Sequence, residues 1–173
     1  IEPNSTNFIA LASVGFMLSA LGILNGQLLI ADRLQTSPGS LIRLGILFIF
    51  FALIGVANST SLVHIYISLF FYGLGGGMLG PGISASLSLS VGKENQGSAS
   101  GFLGMVIPIG HVISPIISMP LYTINPSYPY LLGSSLMLFC LIFVLTNGRH
   151  KWIRKKNYRE DYRTYTEEPP DLP

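Results

Sequence analysis

The sequence predicts an all-α membrane protein with five transmembrane helices, on the evidence of its composition and of where its charges lie. Of the 173 residues, 49% are hydrophobic and 10% are charged, whereas soluble domains carry about 25% charged residues. The mean hydropathy is +0.54. The run from Leu62 to Val91 has no charged residue, and neither has the run from Asn95 to Gly148. So few charges cannot cover a soluble surface, and we expect the chain to lie in a lipid bilayer.

Five apolar runs are candidates to cross the hydrocarbon core, which takes about 20 helical residues. The second run is short, but Leu41 and Ile42 extend it past Arg43, whose long side chain can carry its charge to the interface. We therefore expect membrane spans at about 8–31, 41–58, 62–91, 97–122 and 128–147. These define a transmembrane region at 1–148, and residues 149–173 are expected to form a disordered cytoplasmic tail.

The basic residues predict the orientation of the chain. Arg33 follows the first run, Arg43 lies near the start of the second, Lys93 follows the third, and the other Lys and Arg residues follow the fifth. Because cytoplasmic segments are rich in Lys and Arg, all these segments are expected on the cytoplasmic side. The sequence thus predicts a multi-pass protein with residue 1 outside and the C-terminus in the cytoplasm.

Glycine and proline are concentrated in the third run, where they predict close helix packing. Gly73 with Gly77, and Gly76 with Gly80, form two overlapping G-x-x-x-G spacings. Small residues at this spacing let membrane helices approach each other, so we expect one packing face that contains both pairs. Pro81 is expected to bend the helix beside that contact, because proline removes a helical hydrogen bond.

The fourth run repeats this pattern of small residues and prolines, with Gly97, Gly101, Pro108 and Pro115. Two neighbouring helices of this composition are expected to bend or slide during function. A static and tightly packed bundle is the alternative, and glycine and proline alone do not separate the two.

His111 is the one ionisable side chain near the middle of a predicted span. Such groups usually face a bundle interior or a water-filled cavity, and histidine exchanges protons near neutral pH. The hypothesis is a place in a substrate or proton pathway, and the alternative is a neutral imidazole bonded to a neighbouring carbonyl. Asn25 and Gln27 are further candidates for substrate contact, with capping or helix packing as the alternative.

No residue pattern typical of an enzyme is found. The sequence has no intramembrane Ser/His/Asp set, no paired carboxylates, no phosphate-binding loop and no histidine-rich metal site. We therefore predict no catalytic residue, no metal, no cofactor and no nucleic-acid partner.

From Gly73 to Tyr122 the sequence resembles helices ten and eleven of major facilitator superfamily transporters, and most closely the tetracycline and multidrug proton antiporters. A glycine-rich helix with a proline leads to the short loop Lys93-Glu94, and Gln96-Gly97-Ser98-Ala99-Ser100-Gly101 then matches Q-G-x-x-x-G. Upstream, Asp32-Arg33 is similar to the family's G-x-x-x-D-R loop. Leu28 stands in place of the glycine, and the next basic residue is Arg43.

The resemblance implies that the five runs correspond to helices eight to twelve, a partial second half of a fold with six plus six helices. It implies secondary active transport of a small organic solute by alternating access, with proton-coupled efflux as the specific form. The partners would be the lipid bilayer, the small-molecule substrate and the missing N-terminal half of the same transporter. The alternative is a non-transporting membrane subunit, or truncated paralogue, that packs against another membrane protein.

Overall fold

The computed structural model describes residues 5–33 and 37–147, and nearly all of them lie in five long α-helices. The helices are α1 (Ser5–Arg33), α2 (Pro38–Ala57), α3 (Leu62–Ser90), α4 (Gln96–Ile124) and α5 (Tyr128–Asn147). A short 3-10 helix, Lys93–Asn95, connects α3 to α4. All five helices are long and apolar enough to cross a membrane. The predicted all-α class and the number of helices are confirmed.

Several helices are longer than the apolar runs, because polar residues at the ends of those runs are helical as well. The first run covers 8–31, whereas α1 covers Ser5–Arg33. Helix α2 begins at Pro38 rather than at Leu41, since the first turn of a helix tolerates proline, whose missing N–H has no helical partner there. The predicted tail, residues 149–173, lies outside the described residues.

Polar groups without charge satisfy the ends of the helices. Ser61 precedes α3, and its hydroxyl accepts a hydrogen bond from the backbone N–H of His64 at 3.3 Å. Asn58 follows α2, and its side-chain amide donates to the carbonyl of Ile54 at 2.9 Å. The hydroxyl of Ser127, just before α5, donates to the carbonyl of Ala57 at 2.7 Å. These bonds pair groups that helix ends leave unsatisfied.

The spatial order of the helices differs from their order along the chain. Helix α3 packs between α1 and α2, and α5 packs against α2. Helix α4 makes only limited contacts with α5 and α3, and within the described ranges α1 does not contact α2. The buried apolar side chains come from α2 and α3; they are Leu41, Ile46, Ile49, Ala52, Leu74 and Met78. The core therefore lies along the α2–α3 interface.

Candidate functional site

One side of α3 packs against α1 through glycines. A Cβ atom at Gly73 would overlap the carbonyl oxygen of Ser19, and one at Gly77 would overlap that of Ile23. From the other helix, a Cβ atom at Gly26 would lie 2.6 Å from the carbonyl oxygen of Leu74. No side chain fits between the two backbones at these positions. Van der Waals contact between backbones holds helices together in lipid, where the hydrophobic effect does not.

Two hydrogen bonds join α1 to α3 toward the start of both helices. The hydroxyl of Ser19 donates to the carbonyl of Leu69 at 3.0 Å. The hydroxyl of Tyr66 donates to the carbonyl of Leu11 at 3.1 Å. Both acceptors are backbone carbonyls of the opposite helix, so the α1–α3 interface combines glycine contacts with interhelical hydrogen bonds.

Another side of α3 packs equally closely against α2. A Cβ atom at Gly75 would lie 2.7 Å from the carbonyl oxygen of Gly45, and a Cβ atom at Gly45 would lie 2.8 Å from that of Gly75. Farther along, Gly82 lies against Leu41 and Ile42. Helix α3 is therefore held between α1 and α2 by glycines that lie on different sides of the helix.

The expectation that both glycine pairs share one packing face is not met in the described chain. Gly73 and Gly77 contact α1, but Gly76 and Gly80 have no atom within 4 Å of where a Cβ would lie. Residues three apart on a helix are rotated by about 60°, which turns Gly76 away from this contact. Gly80 is rotated by only about 20° from Gly73 and lies farther along the helix. Helix α3 continues unbroken through Pro81.

Sequence reasoning missed the glycines that complete these contacts, although a signal was present. Gly22 and Gly26 of α1 lie against α3, and Gly22-Ile-Leu-Asn-Gly26 has the same G-x-x-x-G spacing that was noted in α3. Helix α2 contains Gly39, Gly45 and Gly55, and no G-x-x-x-G spacing marks Gly45. Its partner Gly75 lies between Gly73 and Gly76 in the sequence but belongs to neither of the two G-x-x-x-G pairs.

Helix α4 has a different environment, because none of its residues is buried. Six of its polar and small residues recur at intervals of three, four or seven, which places them along one side of the helix, where the exposed Ile107 also lies. We call this side the α4 polar stripe; it comprises Ser100, Gly104, His111, Ser114, Ser118 and Tyr122. The opposite side carries exposed large apolar side chains, namely Phe102, Val106, Ile109, Ile113 and Ile116. Within the described chain, α4 is thus two-sided and largely uncovered.

The predicted site residues on α4 lie in open space. His111 is exposed near the middle of the stripe. Gly97 and Gly101 have no atom within 4 Å of a Cβ position. Pro108 and Pro115 are inside the helix, which stays continuous through both. The expected packing role of these glycines has no partner among the described helices.

Asn25 and Gln27 are not brought together with His111. Both are exposed on α1, and α1 does not contact α4 within the described ranges. The side-chain amide of Asn25 donates to the carbonyl of Leu21 at 2.8 Å, a bond within its own helix.

Arg43 folds back toward the start of α2, as expected of a basic side chain near an interface. Its Nε donates to the carbonyl of Gly39 at 3.1 Å, and one terminal nitrogen donates to the hydroxyl of Ser40 at 3.3 Å. Asp32 and Arg33 belong to the last turn of α1, and their side chains lie outside the described structure.

Comparison with known proteins identifies the family. The Major Facilitator Superfamily profile matches residues 3–168, nearly the whole chain. Neither the comparison with curated proteins nor that with solved structures gave a match. Within the described residues, no group of His, Cys, Asp and Glu could hold a metal ion.

The profile match over residues 3–168 shows that the chain belongs to the Major Facilitator Superfamily, a family of multi-pass membrane transporters rather than of enzymes.

Proposed function

We propose that the chain is part of a secondary active transporter that moves a small organic solute by alternating access. Membership of the family supports transport. The contrast between α3 and α4 is the observation that supports placing the transport pathway at α4. Helix α3 lies between α1 and α2, whereas α4 makes only limited contacts with α5 and α3 and presents a polar stripe that is exposed except at the half-buried Ser118. A polar stripe facing lipid would be costly, so it faces a cavity or another helix.

The five helices would correspond to helices eight to twelve, and the missing N-terminal half would complete the transport pathway. Transporters of this type have two halves that rock about a site near the membrane midplane. The distribution of basic residues supports an orientation with residue 1 outside and the C-terminus in the cytoplasm. The ends of α1 and α3 and the start of α2 would then be cytoplasmic, together with Asp32, Arg33, Arg43 and the loop Lys93–Asn95.

His111 would lie in the substrate or proton pathway, in a proton-coupled efflux protein. Its support is its position on the α4 polar stripe, together with its exposure. Asn25 and Gln27 would line the same pathway from α1. Some glycines have no described atom near a Cβ position and some prolines are exposed, and these residues would allow α3 and α4 to bend or to pack against the other half. They are Gly76, Gly80, Gly97 and Gly101, and Pro81, Pro108 and Pro115.

The test of this assignment is accessibility to a water-soluble thiol reagent in the complete protein. In a Cys140→Ser background, His111→Cys is expected to react with a membrane-impermeant maleimide from one side of the membrane. Ile113→Cys is the matched control, because it lies on the apolar side of the same helix and is also exposed in the described chain. It is expected to stay unlabelled. Equal labelling of both positions, or labelling of neither, would remove His111 from an aqueous pathway.

A separate measurement addresses proton coupling. The complete protein in liposomes is expected to lose most pH-driven transport in His111→Ala and to retain facilitated exchange of the same solute. Unchanged pH-driven transport would show that His111 is not part of the coupling mechanism.

The competing proposal is a non-transporting membrane subunit that binds another membrane chain. The free G-x-x-x-G pair Gly76 and Gly80 favours it, since this spacing supports helix association. The encoding gene separates the two proposals. About seven further hydrophobic segments upstream of Ile1 would support the transporter, and a start codon near Ile1 would support the subunit.

A further inference from the structure

Helices α2 and α5 run antiparallel, so the end of α5 lies beside the start of α2. At the opposite end of the pair, the hydroxyl of Ser127 donates to the carbonyl of Ala57. Farther along both helices, a Cβ atom at Gly133 would lie 3.2 Å from Cδ1 of Leu53. Each helix has 20 residues, and each is therefore about 30 Å long at 1.5 Å per residue. The last turn of α5 is thus level with the first turn of α2.

Arg43 brings a positive charge to this level. The side chain is half-buried. Its Nε donates to the carbonyl of Gly39 at 3.1 Å, and one terminal nitrogen donates to the hydroxyl of Ser40 at 3.3 Å. These bonds fold the guanidinium toward the start of α2, beside the end of α5. They use two of the five N–H groups of a guanidinium, whose planar shape matches the oxygens of a phosphate group.

The chain continues beyond α5 with a basic segment at residues 149–156, which lies outside the described residues. Its sequence is Arg-His-Lys-Trp-Ile-Arg-Lys-Lys, with five Lys or Arg residues among eight. A chain advances at most about 3.6 Å per residue, so the Cα atoms of Arg149 and Lys151 lie within about 7 Å and about 14 Å of that of Asn147 in any conformation. Basic residues therefore follow α5 directly at the membrane surface where Arg43 lies.

The chemistry of this region matches an anionic phospholipid. Clusters of Lys and Arg directly beyond a membrane helix attract anionic headgroups, and tryptophan such as Trp152 prefers the level of the headgroups. In the last two turns of α5, Ile142, Phe143 and Leu145 are exposed apolar side chains, which acyl chains can cover. A lipid uses both the charges and the apolar surface, whereas a free anion uses the charges alone.

We propose that the start of α2, the end of α5 and residues 149–156 bind an anionic phospholipid of the cytoplasmic leaflet. Arg43 and the basic residues after α5 contact the phosphate group, and the last two turns of α5 contact the acyl chains. This inference goes beyond transport. It rests on the proposed function only for the orientation, in which both helix ends are cytoplasmic.

Lipid binding to the complete protein in detergent tests the proposal, with native mass spectrometry to count the bound molecules. The probes are dioctanoyl phosphatidylserine, dioctanoyl phosphatidylcholine and inorganic phosphate. Phosphatidylserine is expected to bind at least about fivefold more tightly than phosphatidylcholine, which is the effect of one basic residue near a membrane surface. Inorganic phosphate is expected not to displace it. Equal affinity for the two lipids would overturn the inference, and displacement by phosphate would also do so, since it would indicate a site for free anions.

Variants of Arg43 locate the site. Arg43→Gln is expected to raise the apparent Kd for phosphatidylserine about two- to fivefold, with no change for phosphatidylcholine. Arg43→Lys keeps the charge and is expected to retain most of the preference for phosphatidylserine. Equal losses in the two variants would assign Arg43 to the hydrogen bonds at the start of α2 and overturn its contact with the lipid.

Lys93→Gln is the matched control, because it also removes one positive charge from the predicted cytoplasmic side. Helix α3 continues about 12 Å past the contact of Gly82 with Leu41 before the loop that contains Lys93. The apparent Kd for phosphatidylserine is therefore expected to stay unchanged. Equal effects of Lys93→Gln and Arg43→Gln would overturn the inference, since they would indicate general attraction between charges rather than a site.

The basic segment has a test of its own. The double variant Lys155→Gln with Lys156→Gln is expected to raise the apparent Kd for phosphatidylserine about tenfold, because each residue contributes a separate attraction. An unchanged Kd would show that residues 149–156 do not take part, and the proposed site would be wrong.

Lipid binding and the proposed function can fail separately. In a Cys140→Ser background, Asn147→Cys is expected to react with a membrane-impermeant maleimide from the cytoplasmic side. Reaction from the outside would overturn the assignment to the cytoplasmic leaflet. If phosphatidylserine binds as expected but His111→Cys stays unlabelled, the lipid site stands and the assignment of the transport pathway is wrong.

Discussion

Helices α3 and α4 have similar compositions and opposite environments. Each has 29 residues and contains several glycines together with proline. Helix α3 is packed against α1 and α2 through glycine contacts with their backbones, whereas α4 has no buried residue. The same residue types thus have two environments: most glycines of α3 lie against a neighbouring helix, and those of α4 have no described atom within 4 Å of a Cβ position.

The largest expected effect is on stability, at a glycine of α3 that contacts α1. Gly73→Leu is expected to lower the free energy of unfolding by about 3 kcal/mol or more, because a side chain would overlap the carbonyl of Ser19 and force the helices apart. Thermal unfolding in detergent and the yield of folded protein would measure it. Gly76→Leu is the control and is expected to change the free energy of unfolding by less than about 0.5 kcal/mol. An equal loss in the control would mean that both sides of α3 are tightly packed.

A smaller effect is expected for the interhelical hydrogen bond near the start of α3. Tyr66→Phe removes the hydroxyl that donates to Leu11, and is expected to lower the free energy of unfolding by about 1 kcal/mol. Tyr72→Phe, at an exposed position of the same helix, is expected to have no measurable effect. If the two variants behave alike, the bond to α1 does not contribute to stability.

The smallest expected effect concerns α4. Gly104→Ala places a methyl group where no atom lies within 4 Å. We expect the free energy of unfolding to stay within about 0.5 kcal/mol of the unsubstituted protein, or to rise slightly, because alanine favours a helix more than glycine does. Calorimetry or denaturant unfolding would check this. A loss above about 1 kcal/mol would show that α4 is packed as closely as α3, and the comparison between them would fail.

The number and approximate limits of the helices could be predicted from the sequence, because an uncharged apolar run of this length has few other stable structures in lipid. The contact partners of individual glycines could not. Gly76 and Gly80 satisfy the same spacing rule as Gly73 and Gly77, yet only the latter pair contacts a described helix. Which side of a helix meets a neighbour depends on rotation about its axis, and that is set by the neighbouring helices.

The α4 polar stripe was only partly predictable. His111 stood out as the one ionisable residue in mid-span, but its alignment with the serines and with Tyr122 becomes informative only once α4 is continuous through Pro108, Pro115 and Pro120. The sequence predicted one span at 97–122, but prolines can bend a helix, so the prediction alone did not place residues before Pro108 and after Pro115 on one face of the 29-residue helix. Gly45 could not be found at all, since its role depends on Gly75 in a different helix.

The position of α3 between α1 and α2 also constrains the order of assembly during synthesis. The first two helices leave the ribosome before α3, yet they have no contact with each other within the described ranges. Among the described helices, α1 has no packing partner before Gly73 and Gly77 of α3, and α2 has none before Gly75. A chain that ends after α2 would leave Gly22, Gly26 and Gly45 without the α3 backbone that they contact. The third helix is thus the step at which this part of the protein first becomes a packed unit.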